Sequence, residues 1–266
     1  MKDYIRIGVF GILGRMGQTF INEANKFDNL KIVFGVDINE CEIDGVPVYK
    51  NCQYICRPVN VIVDFSNHTA INTILKYALR EKIPAVICST GHTTEELMQI
   101  RETAKQIPIL LSPNMSFGAN FLIDFAEKNS KNFVDKGFQV DILETHHIEK
   151  KDSPSGTALA ILQAILSSCP TLHLEKELTG KREQDGISVH SMRLGNEIGT
   201  HELIFSSNNE IVKISHKVND KAVFALGAID AVEFITKQKP GYYTVKDVIT
   251  KKITNQKIGN FENYSL

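Results

Sequence analysis

The residue types best suited to acid–base chemistry are concentrated in one short segment, residues 144–158, which reads ETHHIEKKDSPSGTA. Histidine titrates near neutral pH and suits proton transfer, and lysine supplies a point charge or a proton. His146 and His147 are adjacent, and Lys150 follows His146 by four residues. These three residues are therefore candidates for binding and protonating a substrate.

A second group in the same segment favours an anionic substrate. Ser155, Gly156 and Thr157 stand at the start of a predicted helix, where backbone N–H groups and hydroxyls bind carboxylates. Taken separately, these features have plainer interpretations, namely surface histidines, solvated lysines and a simple helix cap. Taken together, they favour catalysis. No third ligand stands at a familiar spacing from the histidines, so no metal is expected.

A glycine-rich turn lies near the beginning of the chain, between a predicted strand and a predicted helix. It comprises Gly11, Ile12, Leu13, Gly14, Arg15, Met16 and Gly17. Glycine permits a tight turn and a close approach of backbone to a pyrophosphate, and the helix N-terminus attracts the negative charge. The spacing is GxxGxxG rather than GxGxxG. In this context it predicts dinucleotide binding, with a merely tight turn as the alternative.

The second predicted strand ends in a carboxylate that bears on the choice of cofactor. Asp37 follows Gly17 by 20 residues, where a carboxylate accepts hydrogen bonds from the ribose hydroxyls of NAD. Asp37 also repels a 2′-phosphate, and Ile38 beside it adds no positive charge. We therefore expect NADH to be preferred over NADPH. Arg15 either contacts a phosphate or the 2′ end of the cofactor, where it would weaken this preference, or is solvated.

The elements that must position these residues divide the chain into two patterns. Apolar strands are predicted at 5–11, 30–37, 59–66, 84–90 and 107–114, separated by helices at 18–27, 70–81 and 95–106. Strands that are apolar on both faces and alternate with helices indicate a doubly wound parallel sheet.

The pattern changes after about residue 117. Helices are predicted at 121–133 and 155–168, and a strand at 139–147. Strand-like runs at 187–195, 199–207 and 210–218 alternate polar and apolar residues, as in an antiparallel sheet with one exposed face. A helix at 222–237 and a short closing element at 241–249 follow.

Composition excludes several classes of protein. The chain has 266 residues, 30 Lys and Arg and 31 Asp and Glu, so its net charge is −1. A protein that binds nucleic acid through bulk positive charge usually has a basic excess. No apolar run reaches the ~18–20 residues that span a membrane, and the first residues lack a signal-peptide cleavage site. We expect a cytoplasmic protein whose five scattered cysteines are free thiols.

The segment 141–158 closely resembles the signature of the 4-hydroxy-tetrahydrodipicolinate (dihydrodipicolinate) reductase family, roughly E-[IV]-x-E-x-H-H-x-x-K-x-D-x-P-S-G-T-A. Only Asp141 departs from it, in place of Glu. Other segments that resemble the family are GRMG (14–17), DFS (64–66), STG (89–91), SPNMSFGAN (112–120) and FALGAIDA (224–231). The resemblance extends nearly from end to end.

The resemblance implies an α/β fold with a Rossmann-type dinucleotide-binding domain over 1–117 and 218–266. It implies an α+β domain over 118–217, with an open mixed sheet, for substrate binding and oligomerisation into a homotetramer. The implied activity is NAD(P)H-dependent reduction of a cyclic dicarboxylate to tetrahydrodipicolinate, with loss of water, in lysine and diaminopimelate biosynthesis.

The resemblance also implies a role for each site residue. His146 and Lys150 would transfer protons, and His147 would bind one substrate carboxylate while residues 155–157 bind the other. The pyrophosphate would lie on residues 11–16 and the adenosine ribose on Asp37. The loops framing the nicotinamide half of the cofactor would contain Cys88, Ser89, Thr90, Ser112, Pro113, Asn114 and Met115.

Three positions depart from the family outside the signature. Cys88 replaces a glycine and would crowd the nicotinamide, His68 stands where proline is common, and Lys221 replaces an arginine. None of them removes a proposed proton donor or carboxylate ligand. The alternatives to the reductase are another nicotinamide-dependent dehydrogenase of an amino-acid-derived acid, or a nucleotide sensor without catalysis. The first does not account for the His–His–Lys segment, and a sensor need not keep both His146 and Lys150.

Overall fold

The structure is a computed structural model that describes residues 4–175 and 182–256, without the side chains of Tyr54 and of residues 252–256. The described chain forms two compact units. Among these residues, the first unit comprises 4–116 and 222–256, and the second comprises 117–175 and 182–221. Among the described residues, no helix combines the length and apolar character that a membrane span requires.

The first unit is built on an eight-stranded sheet with the order β13-β7-β6-β5-β1-β2-β4-β3. Its strands are β1 (Ile5–Phe10), β2 (Leu30–Val36), β3 (Cys41–Ile43), β4 (Val46–Tyr49), β5 (Val61–Asp64), β6 (Ala85–Ile87), β7 (Pro108–Leu111) and β13 (Gly241–Tyr243). All neighbouring strands are parallel except β3 and β4, which form an antiparallel hairpin. The predicted doubly wound parallel sheet is confirmed.

Helices cover both faces of this sheet. They are α1 (Arg15–Ala24), α2 (Ile71–Glu81), α3 (Thr94–Thr103), α6 (Ala222–Ile235) and α7 (Val245–Gln256). Successive strand residues enter different cores: Val61 and Val63 pack with α1, α6 and α7, and Ile62 packs with α2 and α3. Burial on both faces explains why these strands are apolar throughout. The helix predicted at 18–27 begins earlier in the structure, at Arg15, directly after its N-cap Gly14.

The second unit is built on a five-stranded sheet with the order β12-β11-β8-β10-β9. Its elements are α4 (Phe117–Val134), β8 (Gln139–His146), α5 (Gly156–Ser168), β9 (His173–Leu174), β10 (Gly186–Arg193), β11 (Thr200–Ser206) and β12 (Ile211–Lys217). Alternate residues of β8 and β11 are buried in a core with α4 and α5, including Ile142, Leu203 and Phe205.

The antiparallel interpretation of the three C-terminal strand runs was wrong for the first of them. β11 is antiparallel to both β8 and β12, whereas β10 is parallel to β8. The sheet is therefore mixed. The reason is the α5 crossover between β8 and β10, because a strand–helix–strand connection returns the chain in the same direction. As a result β8, which ends at the candidate catalytic residue His146, lies at the centre of the sheet.

Candidate active site

The glycine-rich turn connects β1 to α1 and needs glycine at two positions. Gly11 has φ +73°, and a Cβ there would lie 2.7 Å from the backbone of Phe65 and Ser66. A Cβ on Gly17 would lie 2.4 Å from the Gly11 carbonyl oxygen. Gly14 begins α1 with no side-chain cap. The first N–H groups of α1 are thus left for an external acceptor, which is the chemistry that a pyrophosphate needs.

Asp37 follows the carboxyl end of β2, the strand next to β1. Its Oδ2 accepts a hydrogen bond from Leu13 N and its Oδ1 accepts one from Ile38 N, both at 2.8 Å. The Asp37 side chain therefore holds the backbone of the glycine-rich turn at Leu13. This turn, residues 11–17, is called the phosphate turn below, and its contact with Asp37 was not predicted from the sequence. Arg15, predicted to contact a phosphate or solvent, is exposed.

A buried carboxylate orders the loop after β6. Asp64, at the end of β5, is 1% exposed, and its Oδ2 accepts a 2.5 Å hydrogen bond from Ser89 Oγ. Ser66 donates to the Asp64 Oδ1 through its backbone N–H at 2.8 Å. Burial raises the pKa of Asp64, while the hydrogen bonds from Ser66 and Ser89 act in the opposite direction. Asp64 belongs to the DFS motif, but its hold on Ser89 was not predicted.

The remaining predicted cofactor residues lie on loops after β6 and β7. Since both strands are parallel to β1, their carboxyl ends share the sheet edge of the phosphate turn. Ser112 Oγ donates to the Asn114 carbonyl at 2.7 Å. Met115 is buried, whereas Thr90 and Pro113 are exposed.

Cys88 precedes Ser89 in the loop after β6 and is partly buried. Burial, and secondarily the charge of Asp64, raises the pKa of the Cys88 thiol. The side chain is therefore a neutral thiol at neutral pH. Like the other four cysteines, it is free.

In the second unit, β8 and β11 bring three ionisable side chains together. Glu144 and His146 are two residues apart on β8 and face the same side, and His201 on β11 is paired with Glu144. All three are buried. Glu144 accepts a short hydrogen bond from His146 Nδ1, and the rings of His146 and His201 are in edge contact with centroids 5.1 Å apart.

Arg193, the last residue of β10, completes the carboxylate's environment. Its Nη1 donates to Glu144 Oε1 at 3.1 Å. Burial raises the pKa of Glu144, but hydrogen bonds from Ser191, Arg193 and His146 outweigh it, so that the pKa lies below its ordinary value. Glu144 is thus an anion at neutral pH, and it fixes the His146 proton on Nδ1. Nε2 of His146 has no hydrogen-bond partner among the described residues.

The segment after β8 is held by the same arginine. Arg193 Nη2 donates to the Asp152 carbonyl at 2.6 Å, and Arg193 Nε donates to the Lys150 carbonyl at 3.4 Å. The Lys150 ammonium lies 2.8 Å from Asp152 Oδ1. Burial lowers the pKa of His146, the hydrogen bond to Glu144 and its charge raise it, and the positive charges of Lys150 and Arg193 lower it, so that the pKa lies below its ordinary value. His146 is consequently neutral at neutral pH.

The predicted carboxylate-binding residues are at the N-terminus of α5. Ser155 is the N-cap and accepts a 3.2 Å hydrogen bond from Ala158 N. Gly156 is exposed, and nothing lies within 4 Å of a Cβ placed there. His147 and Thr157 are half-buried. The structure thus places the proton-transfer and carboxylate-binding candidates in one unit, and all the predicted cofactor residues in the other.

Glu144, His146 and His201 also have ligand atoms within 4.8 Å of one another, the arrangement that a metal ion would need. However, Arg193 already places a positive charge on Glu144, and the Glu144–His146 hydrogen bond occupies both facing atoms. The Glu144 carboxylate is thus better suited to the His146 proton and the Arg193 guanidinium than to a divalent cation. The expectation of no metal stays a prediction.

Arg193 and His201 were missed in the sequence because they come from strands distant from the signature. The signal that was available is the alternation within β8, which places Glu144 and His146 on one face of a strand. It predicts their pairing. It does not indicate which strands lie beside β8.

The fold and these residues define a class, the nicotinamide-dinucleotide-dependent reductases with a Rossmann-type unit and a second mixed α/β unit. Models of the dihydrodipicolinate reductase N-terminus and C-terminus match residues 5–115 and 118–249. The chain belongs to this family, and it is an oxidoreductase.

Individual relatives agree with the family models. The 4-hydroxy-tetrahydrodipicolinate reductase of Caldanaerobacter subterraneus subsp. tengcongensis is 39% identical over 251 residues, covering 93% of this chain and 99% of that protein. The enzyme of the same name from Aquifex aeolicus is 34% identical over 261 residues, covering 92% and 98%. A dipicolinate-bound dihydrodipicolinate reductase from Paenisporosarcina sp. TG-14 has the same fold, with TM-score 0.79, 24% identity, and coverage of 92% and 99%.

Proposed function

We propose that this enzyme reduces 4-hydroxy-tetrahydrodipicolinate to tetrahydrodipicolinate in lysine and diaminopimelate biosynthesis, with its residues in the roles given below. In the balanced reaction the substrate takes up a hydride and a proton, loses water and yields the oxidised nicotinamide cofactor. The observation that carries this assignment is the pairing of Arg193 on β10 with the buried Glu144 and His146 on β8, in the same unit as the capped start of α5.

The substrate is a dianion, and the second unit offers positive and hydrogen-bonding groups for it. The Ser155 hydroxyl and the backbone N–H groups of Gly156 and Thr157 bind one carboxylate at the positive end of α5. His147 binds the other. These contacts orient the ring and draw electron density from the conjugated imine toward the bound carboxylates.

Proton transfer is assigned to His146 and Lys150. With its own proton on Nδ1 and bonded to Glu144, neutral His146 accepts a proton from solvent at Nε2 and passes it on from there, and Glu144 stabilises the transient imidazolium. Lys150, held by Asp152, donates the proton that the reduced substrate takes up. Arg193 offsets the negative charge of Glu144 and fixes the loop that contains Lys150.

The first unit fits a dinucleotide, because Gly11 and Gly17 leave a turn that a Cβ would fill and α1 begins without a side-chain cap. The residues 11–16 hold the pyrophosphate, and Asp37 binds the ribose. The nicotinamide, when bound, supplies the hydride. Ser89, which donates to the Asp64 carboxylate, and Asn114, whose N–H donates to Ser112 Oγ in the same loop, orient the nicotinamide half. NADH is preferred over NADPH because Asp37 repels a 2′-phosphate.

We further propose that the enzyme works in the cytoplasm as a homotetramer assembled through the sheet of the second unit. Helices α4 and α5 cover one face of this sheet. Met192 on β10 and Ile211 on β12 are 47% and 63% exposed, a large exposure for apolar side chains. Light scattering is expected to give four times the monomer mass, and Met192→Lys is expected to lower it. A monomeric wild type would contradict the tetramer.

The activity is tested with substrate made freshly by condensing pyruvate with aspartate semialdehyde. Oxidation of NADH is followed by its absorbance, with NADPH in a parallel assay. Turnover that needs both the condensation product and the reduced cofactor is expected. Absence of turnover with either cofactor would refute the proposed function.

A further inference from the structure

His201 is a buried histidine without an assigned role. It lies on β11, is 4% exposed, and contacts the catalytic candidate His146 by its ring edge. Its Nε2 is 3.0 Å from Ser155 Oγ. Its Nδ1 is buried and has no hydrogen-bond partner in the described part of the chain. This histidine therefore joins the proton-transfer residue to the first residue of the carboxylate-binding turn.

The hydrogen-bonding capacity of Ser155 decides what His201 does. A hydroxyl has one hydrogen to donate and two lone pairs. One lone pair of Ser155 Oγ accepts from Ala158 N at 3.2 Å. If the hydroxyl donated to His201 Nε2, it would have no hydrogen left for a carboxylate, and its remaining lone pair would repel one. If instead His201 donates from Nε2–H, the hydroxyl hydrogen stays available.

We propose that His201 is a positioning residue that donates from Nε2–H to Ser155 Oγ and thereby directs the Ser155 hydroxyl hydrogen to a substrate carboxylate. This inference rests on the proposed function of residues 155–157 as the carboxylate-binding turn. It assigns His201 to substrate affinity, and it places no proton transfer on His201 itself.

The surroundings of His201 favour this tautomer. With the proton on Nε2, the unpartnered Nδ1 is a bare lone pair; with the proton on Nδ1, it would be a buried donor without an acceptor. Unsatisfied buried donors are rarer in proteins than unsatisfied acceptors. Burial, and after it the nearby His146, lowers the pKa of His201 to about 4. His201 is thus neutral at neutral pH and has a single N–H to place.

The test measures binding of pyridine-2,6-dicarboxylate to the full chain by calorimetry, so that its readout does not depend on turnover. The variants are His201→Leu, which removes the donor, and His201→Gln, whose amide N–H reaches about the same position. Ser155→Ala and the double variant with His201→Leu complete a double-mutant cycle. His173→Leu, at an exposed histidine, is the matched control. Binding of NADH and the melting temperature are measured on every variant.

We expect His201→Leu to weaken dicarboxylate binding about 10-fold to 100-fold, the effect of one hydrogen bond to a charged group. Ser155→Ala is expected to have a similar effect, and the double variant hardly a larger one. His201→Gln is expected to restore most of the affinity. In turnover, KM for the substrate is expected to rise more than kcat falls, with KM for NADH unchanged.

Two results would overturn the inference: unchanged dicarboxylate binding in His201→Leu, or losses from His201→Leu and Ser155→Ala that simply add. If His201→Leu does not fold, nitrogen NMR of histidine-labelled wild type decides, with the His201 signal assigned by its absence in His201→Gln. A signal of the Nδ1–H tautomer would overturn the inference. A wild type that binds the dicarboxylate in this manner but does not turn over substrate would refute the proposed function and leave the role of His201 standing.

Discussion

The phosphate turn of the first unit (residues 11–17) and the acid–base segment of the second (residues 144–158) are built from different chemical groups. The turn depends on backbone: Gly11 and Gly17 leave space, and the buried or half-buried carboxylates of Asp37 and Asp64 hold the loops by hydrogen bonds. The acid–base segment depends on ionisable side chains, which Arg193 and neighbouring strands hold in place. Damage to the turn should therefore act through sterics, and damage to the acid–base segment through charge and proton position.

This difference is visible at two helix N-termini. A Cβ on Gly17, in the first turn of α1, would meet backbone at 2.4 Å, whereas a Cβ on Gly156, at the start of α5, would meet nothing within 4 Å. The first helix start is closed by its own backbone, which leaves no room for a side chain at Gly17. The second is open at Gly156, and the Ser155 hydroxyl and the His201 imidazole lie beside it.

The largest effect is expected for His146→Gln. Glutamine keeps a hydrogen-bonding amide but does not titrate, so the proposed proton transfer at Nε2 is lost. We expect kcat to fall about 10²-fold to 10⁴-fold, while the dissociation constant of NADH stays the same. Steady-state kinetics and cofactor titration by fluorescence measure the two quantities. Equal losses in both would mean that His146 is structural, and His190→Gln, at an exposed histidine, controls for the substitution itself.

The next largest effect is expected in the pH dependence of stability, to which His201 of the second unit contributes. The pKa of His201 is lowered from its ordinary 6.5 to about 4, so between these values the unfolded chain binds the proton and the folded chain does not. Stability is therefore lost as the pH falls from 6.5 toward 4, by at most about 3 kcal/mol from this residue. Burial is the main cause, with the charges of His146, His216 and Lys150 adding to it and Glu144 opposing it.

Chemical denaturation at several pH values measures this contribution. His201→Gln is expected to flatten the loss of stability between pH 6.5 and 4, and the exposed-site control His173→Gln is expected to keep the wild-type profile. An identical slope in wild type and His201→Gln would show that His201 does not carry the effect. Glu144 acts at a lower pH: its pKa lies below the ordinary 4.5, so its contribution is present above that value and is lost as the pH falls through the folded-state pKa.

Paired glycine substitutions test the steric side of the comparison. Gly17→Ala is expected to destabilise the fold by about 1–3 kcal/mol, as overpacking does, and to weaken NADH binding. Gly156→Ala is expected to leave the melting temperature unchanged, because its Cβ points into open space. Thermal unfolding with and without NADH measures both. A stable Gly17→Ala with normal NADH affinity would mean that the turn relaxes and is not fixed by glycine.

Sequence patterns predicted the parallel sheet well because its strands are buried on both faces, but they failed where local signals were overlooked. The β3–β4 hairpin was missed, although Asp44-Gly45 at its tip is a strong hairpin signal, and both residues have positive φ (50° and 79°). The direction of β10 could not be read from its alternation, since alternation reports which face is buried and not which strand is adjacent.

The site residues show the same limit. The signature contains Glu144 and His146 together, so their pairing follows from the period of a strand. Arg193 and His201 stand 49 and 57 residues beyond Glu144 and reach it only because β10 and β11 flank β8. Such contacts depend on sheet order, which a single sequence does not specify. The hydrogen bond from Leu13 N to Asp37 was not predicted for the same reason, because it depends on β2 lying beside β1.

The smallest effect is expected at Asp37, which both carries a negative charge and holds the backbone of the phosphate turn. Its substitution tests which of these two properties determines the cofactor preference. Asp37→Asn keeps an oxygen that accepts from Leu13 N, but it replaces the acceptor for the exposed Ile38 N–H with an amide NH₂ and removes the negative charge. If charge selects the cofactor, the ratio of kcat/KM for NADH to that for NADPH should fall about tenfold, which is about 1.4 kcal/mol, while the melting temperature changes little. Asp44→Asn, at the exposed hairpin tip, is the matched control. A wild type that prefers NADPH would contradict the assignment, and an unchanged ratio in Asp37→Asn would mean that Asp37 acts only by holding the turn.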